Sequence, residues 1–315
     1  MENKIQAGNY ILTFRKRSHT SEKGVKTEEL CITGYEGHGA LLEIPEKALY
    51  EDSEGNKREL PIGVVGKKAL LGNKGLREVH IPASVRRVGQ WAFAQCDQLT
   101  TVIFDKRAGR HVVIERGAFE DDSGIKDICI GYREPDGLSK LVAACCYRLK
   151  ADHLLNTGDI GSRLWFSKWD TGLSSYLDEP DDEGYTNVVL CGEEDIYASV
   201  PDYMAAKRRS KAALCILRLS TPIELEASLK AKFSDYILTH TKGCESEAAW
   251  EVLLSDLNGS IEYMELLAGL GGITESNIDA MLKDLEGEHA ETKAYLIGYK
   301  QKTFTSGDVF DAFKL

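Results

Sequence analysis

One pattern of apolar residues recurs three times between Val65 and Ile130, and it constrains the fold of this 315-residue chain more than any other feature. Each copy has an alanine beside a large apolar residue, then a leucine or isoleucine, then two apolar residues spaced two apart. The equivalent positions are Ala69, Leu70, Leu76, Val79 and Ile81; Ala92, Phe93, Leu99, Val102 and Phe104; and Ala118, Phe119, Ile125, Ile128 and Ile130. The copies are offset by 23 and then by 26 residues. Such a period is typical of repeat proteins whose stacked units bury one another.

The last two apolar positions of each copy predict a short strand with one buried face. Val79 and Ile81 would point to the same side, because successive side chains of a strand alternate. Gly89 suits a position that needs either a positive φ or a close approach of two backbone segments. One unit alone cannot bury its apolar side chains, so we expect the units to stack into a β-rich solenoid. The offsets would then place Phe93 and Phe119 in one internal column with Leu70.

The middle copy resembles the BspA-like leucine-rich-repeat family of bacteria. Val88-Gly89, Ala92-Phe93, Cys96, Leu99 and Val102 match the family pattern Ile-Gly-x-x-Ala-Phe-x-x-Cys-x-x-Leu-x-x-Val. Upstream, the sequence from Ile32 to Pro45 resembles the opening unit of such an array. Over residues 30–130 the resemblance implies a leucine-rich-repeat solenoid, and many relatives are surface proteins.

A helical second domain is predicted from about residue 135. The Pro- and Gly-containing stretch 132–137 is a linker, and Leu138, Leu141, Val142 and Cys145 then follow at helical spacing. The last 70 residues are typical of antiparallel helix pairs with hinges at 257–259 and 285–287, and they resemble ankyrin-like α-solenoids. We therefore predict an α+β fold. Residues 1–134 would form a leucine-rich-repeat domain with an N-terminal hairpin cap, and residues 135–315 an α-helical, ankyrin-like domain.

The end of the repeat array needs a cover, because the open end of a stack exposes its core. The last copy ends with Ile125, Ile128 and Ile130, and no polar capping unit follows them in the sequence. The helix beginning at Leu138 is the nearest apolar surface. We expect it to pack against the last repeat.

Charge is divided unevenly along the chain. Residues 1–135 hold 21 Lys/Arg and 20 Asp/Glu, whereas residues 136–315 hold 18 and 30, so that nearly all of the net charge of −11 lies in the second half. An acidic second half argues against general nucleic-acid binding. No apolar run has the length of a transmembrane helix, and the N-terminus lacks the features of a signal peptide. We expect a cytoplasmic protein, or a secreted or cell-surface protein if a leader was trimmed.

The eight cysteines do not form Cys-x-x-Cys pairs, and most lie in apolar surroundings. This arrangement favours reduced, buried thiols that act as small hydrophobic residues, and it predicts neither a zinc site nor any other cofactor. For the vicinal pair, we expect Cys145 to pack inward and Cys146 to lie at the helix flank. The acidic stretch 179–184 resembles a calcium loop, but Leu190 occupies the position of the bidentate acid. A solvated loop is therefore favoured.

The sequence contains no catalytic motif, so we interpret the chain as a non-catalytic protein–protein interaction protein whose partner and oligomeric state the sequence does not identify. The predicted binding surface consists of strand positions that point away from the core: Arg77, Glu78, His80, Thr100, Thr101, Ile103, Lys126 and Asp127. Two alternatives remain open. One is an enzyme with an interdomain site near residues 178–195, where Glu193, Glu194 and Asp195 could act as acid and base. The other is a surface- or envelope-associated adhesion protein.

Overall fold

The computed structural model describes residues 4–16, 28–52, 54–105, 112–121, 124–131, 137–186, 199–242, 247–285 and 288–304. Within these ranges strands precede helices along the chain, which makes the protein α+β as predicted. The chain divides into two compact units, Met1–Trp169 and Asp170–Leu315. The division by sequence into 1–134 and 135–315 stays a prediction.

The strands of the first unit form two sheets. In chain order they are β1 (Lys4–Ala7), β2 (Tyr10–Lys16), β3 (Glu28–Tyr35), β4 (Leu41–Glu43), β5 (Lys47–Glu51), β6 (Lys57–Val65), β7 (Glu78–Ile81), β8 (Arg87–Val88), β9 (Thr101–Phe104), β10 (Val113–Ile114) and β11 (Asp127–Cys129). The first sheet has the order β1-β2-β3-β6-β8-β10, and β5 pairs with β6. The second sheet has the order β11-β9-β7-β4, and all of its strands are parallel.

The predicted offsets set the register of the second sheet. Val79 of β7 pairs with Val102 of β9, which in turn pairs with Ile128 of β11. On the opposite side of each repeat, the rings of Phe93 and Phe119 stack with centroids 5.4 Å apart and planes 8° from parallel. The predicted column of phenylalanines is thus confirmed.

The turns between sheets also stack, because backbone groups of successive repeats hydrogen-bond to each other. The Leu70 amide donates to the Ala92 carbonyl at 2.8 Å, and the Phe93 amide donates to the Ala118 carbonyl at 2.9 Å. Gly89 lies so close to the preceding repeat that an added Cβ would be 2.8 Å from the backbone nitrogen of Lys67. Close backbone approach therefore explains this glycine, since its φ is not positive.

Helix α1 (Leu138–Cys146) packs against β11, as expected from the need to cover the last repeat. The Ser139 hydroxyl donates to the Asp127 carboxylate at 2.8 Å. A 3₁₀ turn, Asp152–Leu154, follows, and α2 (Arg163–Asp178) begins shortly after it. Two buried indoles tie these segments together: Trp165 donates to the Leu154 carbonyl at 2.8 Å, and Trp169 donates to the Leu141 carbonyl at 3.2 Å.

Among the described residues of the second unit, the regular elements are helices. After α2 come α3 (Val200–Ser220), α4 (Ala227–Thr239), α5 (Ala248–Glu251, continued by a π-helical turn over Val252–Asp256), α6 (Ile261–Gly269), α7 (Ile278–Asp284) and α8 (Ala290–Phe304). The second half of α3 is buried on all sides and contacts α4, α5 and α6, as expected for a central helix. Its buried Arg218 guanidinium donates to both carboxylate oxygens of Asp170 in α2.

Candidate functional site

The outward face of the second sheet carries side chains in registered rows across its four strands. The middle residues of the strands, Leu42, Val79, Val102 and Ile128, are buried, so their neighbours on either side point outward. The first outward row comprises Leu41, Glu78, Thr101 and Asp127. The second comprises Glu43, His80, Ile103 and Cys129.

A third row, formed by Ala40, Arg77, Thr100 and Lys126, precedes the strands. The carbonyl oxygens of Ala40, Arg77 and Thr100 each accept two amide hydrogens from the next strand, at distances between 2.8 and 3.2 Å. This repeated hydrogen bonding fixes the start of each strand against its neighbour. Five of the eight residues of the predicted binding surface therefore lie in the two outward rows of one sheet, and Arg77, Thr100 and Lys126 lie directly before its strands; their role in binding stays a prediction.

Sequence reasoning missed the strand β4 as part of this face. β4 pairs with β7 so that Leu41 lies beside Glu78, and Glu43 lies beside His80. Leu41 is 50% exposed, which is unusual for a leucine in a strand. The available signal was the match of Leu42 and its neighbours to the opening unit of the array, which predicts one further stacked strand.

His80 lies between two carboxylates on this face. Its Nε2 is 2.5 Å from the Glu78 carboxylate, and its Nδ1 is 3.8 Å from the Glu43 carboxylate. Only the first distance is that of a hydrogen bond. The Glu78 contact thus fixes the imidazole, while the Glu43 carboxylate remains mostly exposed to solvent.

An open pocket of about 550 Å³ lies at the carboxyl ends of β4, β7 and β9. Its lining is apolar at Ile44, Ile81, Pro82, Ile103 and Phe104, and polar at Glu43, His80 and Asp105. The two basic side chains of the face, Arg77 and Lys126, belong to the row at the opposite end of the strands. Three residue positions separate that row from the second outward row, which corresponds to about 10 Å along a strand. The face is therefore polarised along the strand direction, with its acidic end at the pocket.

A second cluster of charges lies in the second unit, where three lysines meet the carboxyl end of α2. The buried Lys207 donates to the carbonyls of Pro180 and Glu183 at 2.9 and 2.8 Å. The buried Lys211 donates to the Glu179 carbonyl at 2.6 Å and to the Asp181 carboxylate at 2.9 Å. The third, Lys232, contacts the Asp178 carboxylate at 2.7 Å. Cations are stabilised there, because the carbonyl groups at a helix C-terminus carry partial negative charge.

These contacts bear on the acidic segment that the sequence singled out. Glu179, Pro180, Asp182 and Glu183 are exposed, whereas Asp181 and Gly184 are half-buried, and the carbonyls of the segment together with Asp181 bind two buried ammonium groups. Partial burial opposes ionisation of Asp181, yet hydrogen bonds from Lys211 and Arg208 lower its pKa below the ordinary value. Residues 187–198, which include Glu193, Glu194 and Asp195, lie outside the described residues.

Beside this cluster, the second unit has a pocket of about 410 Å³ with mixed charges. Arg208 donates to the Asp181 carboxylate at 2.6 Å within it. The His240 ring stacks on Tyr236 with centroids 4.1 Å apart, and Glu247 and Glu251 complete the charged lining. The lining holds three carboxylates, those of Asp181, Glu247 and Glu251, beside one guanidinium and His240, so this pocket is also acidic.

Four described cysteines are buried, Cys31, Cys96, Cys145 and Cys215, whereas Cys129 and Cys146 are half-buried. Cys145 is buried and Cys146 is half-buried, which confirms the expected orientation of the pair. Burial raises the pKa of the Cys145 and Cys215 thiols far above the ordinary value. In the ranges that the structure describes, no group of three or more His, Cys, Asp or Glu side chains is placed to hold a metal ion. No helix in the same ranges is both long and apolar enough to cross a membrane.

Comparisons with known proteins agree with the repeat pattern. No protein-family model matches the chain, and no curated protein matches it. A leucine-rich cell surface protein from Faecalibacterium prausnitzii is 24% identical, with a TM-score of 0.33, and the match covers 41% of this chain and 30% of that protein. A leucine-rich-repeat protein from T. pallidum is 23% identical, with a TM-score of 0.29, and the match covers 41% of this chain and 50% of that protein. A leucine-rich-repeat protein from Bacteroides capillosus is 20% identical, with a TM-score of 0.30, and the match covers 42% of this chain and 100% of that protein. These similar solved structures are those of bacterial leucine-rich-repeat proteins, the class of protein that the sequence pattern resembles.

Proposed function

We propose that this chain is a non-catalytic interaction protein, and that the outward face of its second sheet binds a protein partner. In this proposal residues 1–134 form a BspA-like solenoid, and residues 135–315 form a helical, ankyrin-like domain. The observation that carries the proposal is the registered pair of outward side-chain rows across four parallel strands, with a third row directly before the strands. Repeat proteins use extended faces of this kind to bind partners.

Two properties of the face support a binding role. The rows are held by a continuous backbone hydrogen-bond network, so a partner would meet side chains whose backbone positions are already fixed. Such preorganisation lowers the entropy cost of association. The rows also mix apolar, hydroxyl and charged groups, which allows a partner to be recognised by both shape and charge.

The alternative of an enzyme using the acidic segment receives less support. Asp181 is the described carboxylate of that segment with a lowered pKa. A general acid that works near neutral pH needs the opposite shift. The described lysines bind the segment through its backbone carbonyls as well, which is the contact expected of a structural junction.

A site-specific crosslinking experiment tests the proposed surface in the cell. A photo-reactive benzophenone amino acid would replace Thr101 at the centre of the face, and as a matched control it would replace Glu59, an exposed residue of β6 in the same unit. We expect a discrete covalent adduct with one protein from position 101 and not from position 59.

The crosslinked protein would then be purified and its affinity measured by calorimetry. We expect Thr101→Asp and His80→Asp each to weaken binding at least tenfold, as central interface changes do. Equal adduct formation at positions 59 and 101, or unchanged affinity of both folded variants, would reject this face as the binding surface.

A further inference from the structure

The pocket at the carboxyl ends of β4, β7 and β9 combines an apolar floor with an acidic rim. Pro82 and the buried Ile44, Ile81 and Phe104 form much of the floor, and the half-exposed Ile103 extends it toward solvent. Glu43 and Asp105 supply carboxylates at the edge. The described lining includes one basic group, His80, which is already hydrogen-bonded to Glu78.

Glu43 is the rim group best placed to receive a ligand. Its side chain is 73% exposed, and its distance of 3.8 Å to His80 exceeds that of a hydrogen bond. The Tyr10 hydroxyl donates to the Glu43 backbone carbonyl at 2.7 Å and so fixes the end of β4. Burial, together with the nearby Tyr35 and Glu43, raises the pKa of Tyr10 to about 12, so this donor stays protonated at neutral pH.

An apolar floor with carboxylates at its edge matches the chemistry of a long cationic side chain. Lysine and arginine lay an aliphatic stem along apolar surface while the charged head remains at the polar edge. An anionic or neutral side chain would offer no charge complementary to the exposed Glu43 carboxylate. The opposite end of the face carries Arg77 and Lys126, so it does not offer an equivalent site.

We infer that this pocket takes one lysine or arginine side chain from an extended segment of the partner protein. The inference rests on the proposed function, because the rest of that segment would lie across the three rows. The stem would contact Ile103 and Pro82, and the head group would form an ion pair with Glu43.

Peptide mixtures provide a test with the full-length protein. Each mixture is a nonapeptide whose centre is lysine, arginine, norleucine or glutamate, with uncharged residues randomised on both sides. Norleucine keeps the aliphatic stem and removes the charge. We expect immobilised protein to retain the lysine and arginine mixtures at least tenfold more than the norleucine and glutamate mixtures. This preference should shrink as salt is raised, because the ion pair is partly exposed.

Charge reversal at the rim gives the matched comparison. Glu43→Lys should remove the preference for lysine and arginine, whereas Glu59→Lys, which reverses an exposed charge on β6, should leave it within twofold of the parent. Glu43→Gln serves the same purpose if the reversed charge disturbs folding, which circular dichroism would reveal. Equal retention of the lysine and norleucine mixtures by the parent protein overturns the inference, and so does an unchanged preference in the folded Glu43 variants.

The outcomes separate this inference from the proposed function. If Thr101→Asp abolishes binding of the crosslinked partner but the mixtures show no Glu43-dependent preference, the face binds a partner and the inferred basic side chain is wrong. If the mixtures show the preference but no partner depends on Thr101, the pocket binds a cationic side chain and the wider proposed surface is wrong.

Discussion

At the scale of single residues, each repeat turns through two left-handed backbone positions. The first lies just before the alanine of the repeat pattern and is occupied by Lys68, Trp91 and Gly117, with φ of 60°, 57° and 68°. The second is occupied by Gly72, Gln95 and Asp121, with φ of 71°, 59° and 61°. Side chains other than glycine are strained in this region by roughly 1–2 kcal/mol. The fold therefore imposes the turn even where the sequence lacks its preferred residue.

Replacing Gln95 by glycine tests this strain. We expect Gln95→Gly to raise the free energy of unfolding by up to about 1 kcal/mol, since relief of strain exceeds the entropy lost on ordering a glycine. The converse change, Gly72→Ala, should lower it by about 1 kcal/mol, although nothing lies within 4 Å of the added Cβ. Urea unfolding of the full chain measures both. A stabilising Gly72→Ala would show that these turns are not strained.

The phenylalanine column makes a second prediction at this scale. Phe93 is fully buried and stacked on Phe119, so Phe93→Ala should cost about 3–5 kcal/mol through lost burial and the cavity left behind. The control Leu71→Ala removes a residue that is 42% exposed in the preceding repeat, and it should cost much less. A loss below about 1 kcal/mol for Phe93→Ala in urea unfolding would place this ring outside the core.

At the scale of elements, the carboxyl end of α2 and the basic part of α3 form one electrostatic junction. Lys207 and Lys211 are buried, so their charges depend on the carbonyls and carboxylates of residues 179–183. A buried ammonium group left without partners is strongly destabilising. The basic run in α3 is therefore a structural feature rather than an exposed binding patch.

This junction predicts a dependence of stability on pH. The pKa of Asp181 is lowered in the folded chain, so its contribution is present above the unfolded value near 4 and is lost as pH falls through the folded value. Asp181→Asn should therefore lower the stability of the second unit by about 1–3 kcal/mol at pH 7 and reduce its decline between pH 5 and pH 3. Chemical unfolding across this range, followed by Trp250 fluorescence, would measure the effect.

The control for this prediction is Asp182→Asn, which removes an exposed carboxylate from the same loop. We expect it to leave the stability at pH 7 within about 0.5 kcal/mol of the parent. If both variants behave alike, the hydrogen bonds from Lys211 and Arg208 to Asp181 do not stabilise the folded chain.

At the scale of the whole molecule, the first unit continues beyond its last strand. α1 packs on β11, and Trp165 and Trp169 at the start of α2 are hydrogen-bonded to Leu154 and Leu141. The cover of the last repeat thus extends to the first half of α2. Fragments that end before these tryptophans would expose apolar surface on α1.

Truncation tests where the first unit ends. We expect a fragment of residues 1–130 to aggregate, because β11 would lose α1, and a fragment of residues 1–150 to be better behaved but still to lack both indoles. A fragment of residues 1–178, which ends with α2, should be monomeric and unfold cooperatively. Light scattering after size-exclusion chromatography, with thermal unfolding by circular dichroism, would compare the three. A monomeric 1–130 fragment as heat-stable as the longest one would refute the role of α1 as a cover.

The sequence by itself determined the register of the repeats. Apolar side chains at fixed offsets of 23 and 26 residues can be buried together only when equivalent positions stack, so Val79, Val102 and Ile128 had to align. The same offsets placed Glu78, His80, Thr101, Ile103 and Asp127 on one face of a sheet, because side chains in a strand alternate between faces. The inward packing of Cys145 followed from helical periodicity in the same way.

Only the tertiary structure decided the contacts that periodicity does not encode. β4 pairs with β7 although β5 and β6 lie between them in the chain, and this pairing brings Glu43 close to His80 at the edge of the pocket. Lys211 donates hydrogen bonds to Glu179 and Asp181, which lie some 30 residues earlier in the sequence. Arg218 donates to Asp170, at a sequence separation of 48 residues. In a sequence, an acidic and a basic run are equally compatible with exposed, solvated surface and with ion pairs formed between the two runs. Burial in the folded chain distinguishes solvated surface from ion pairs. An ammonium or guanidinium group that packing removes from water is stable only beside carbonyls and carboxylates.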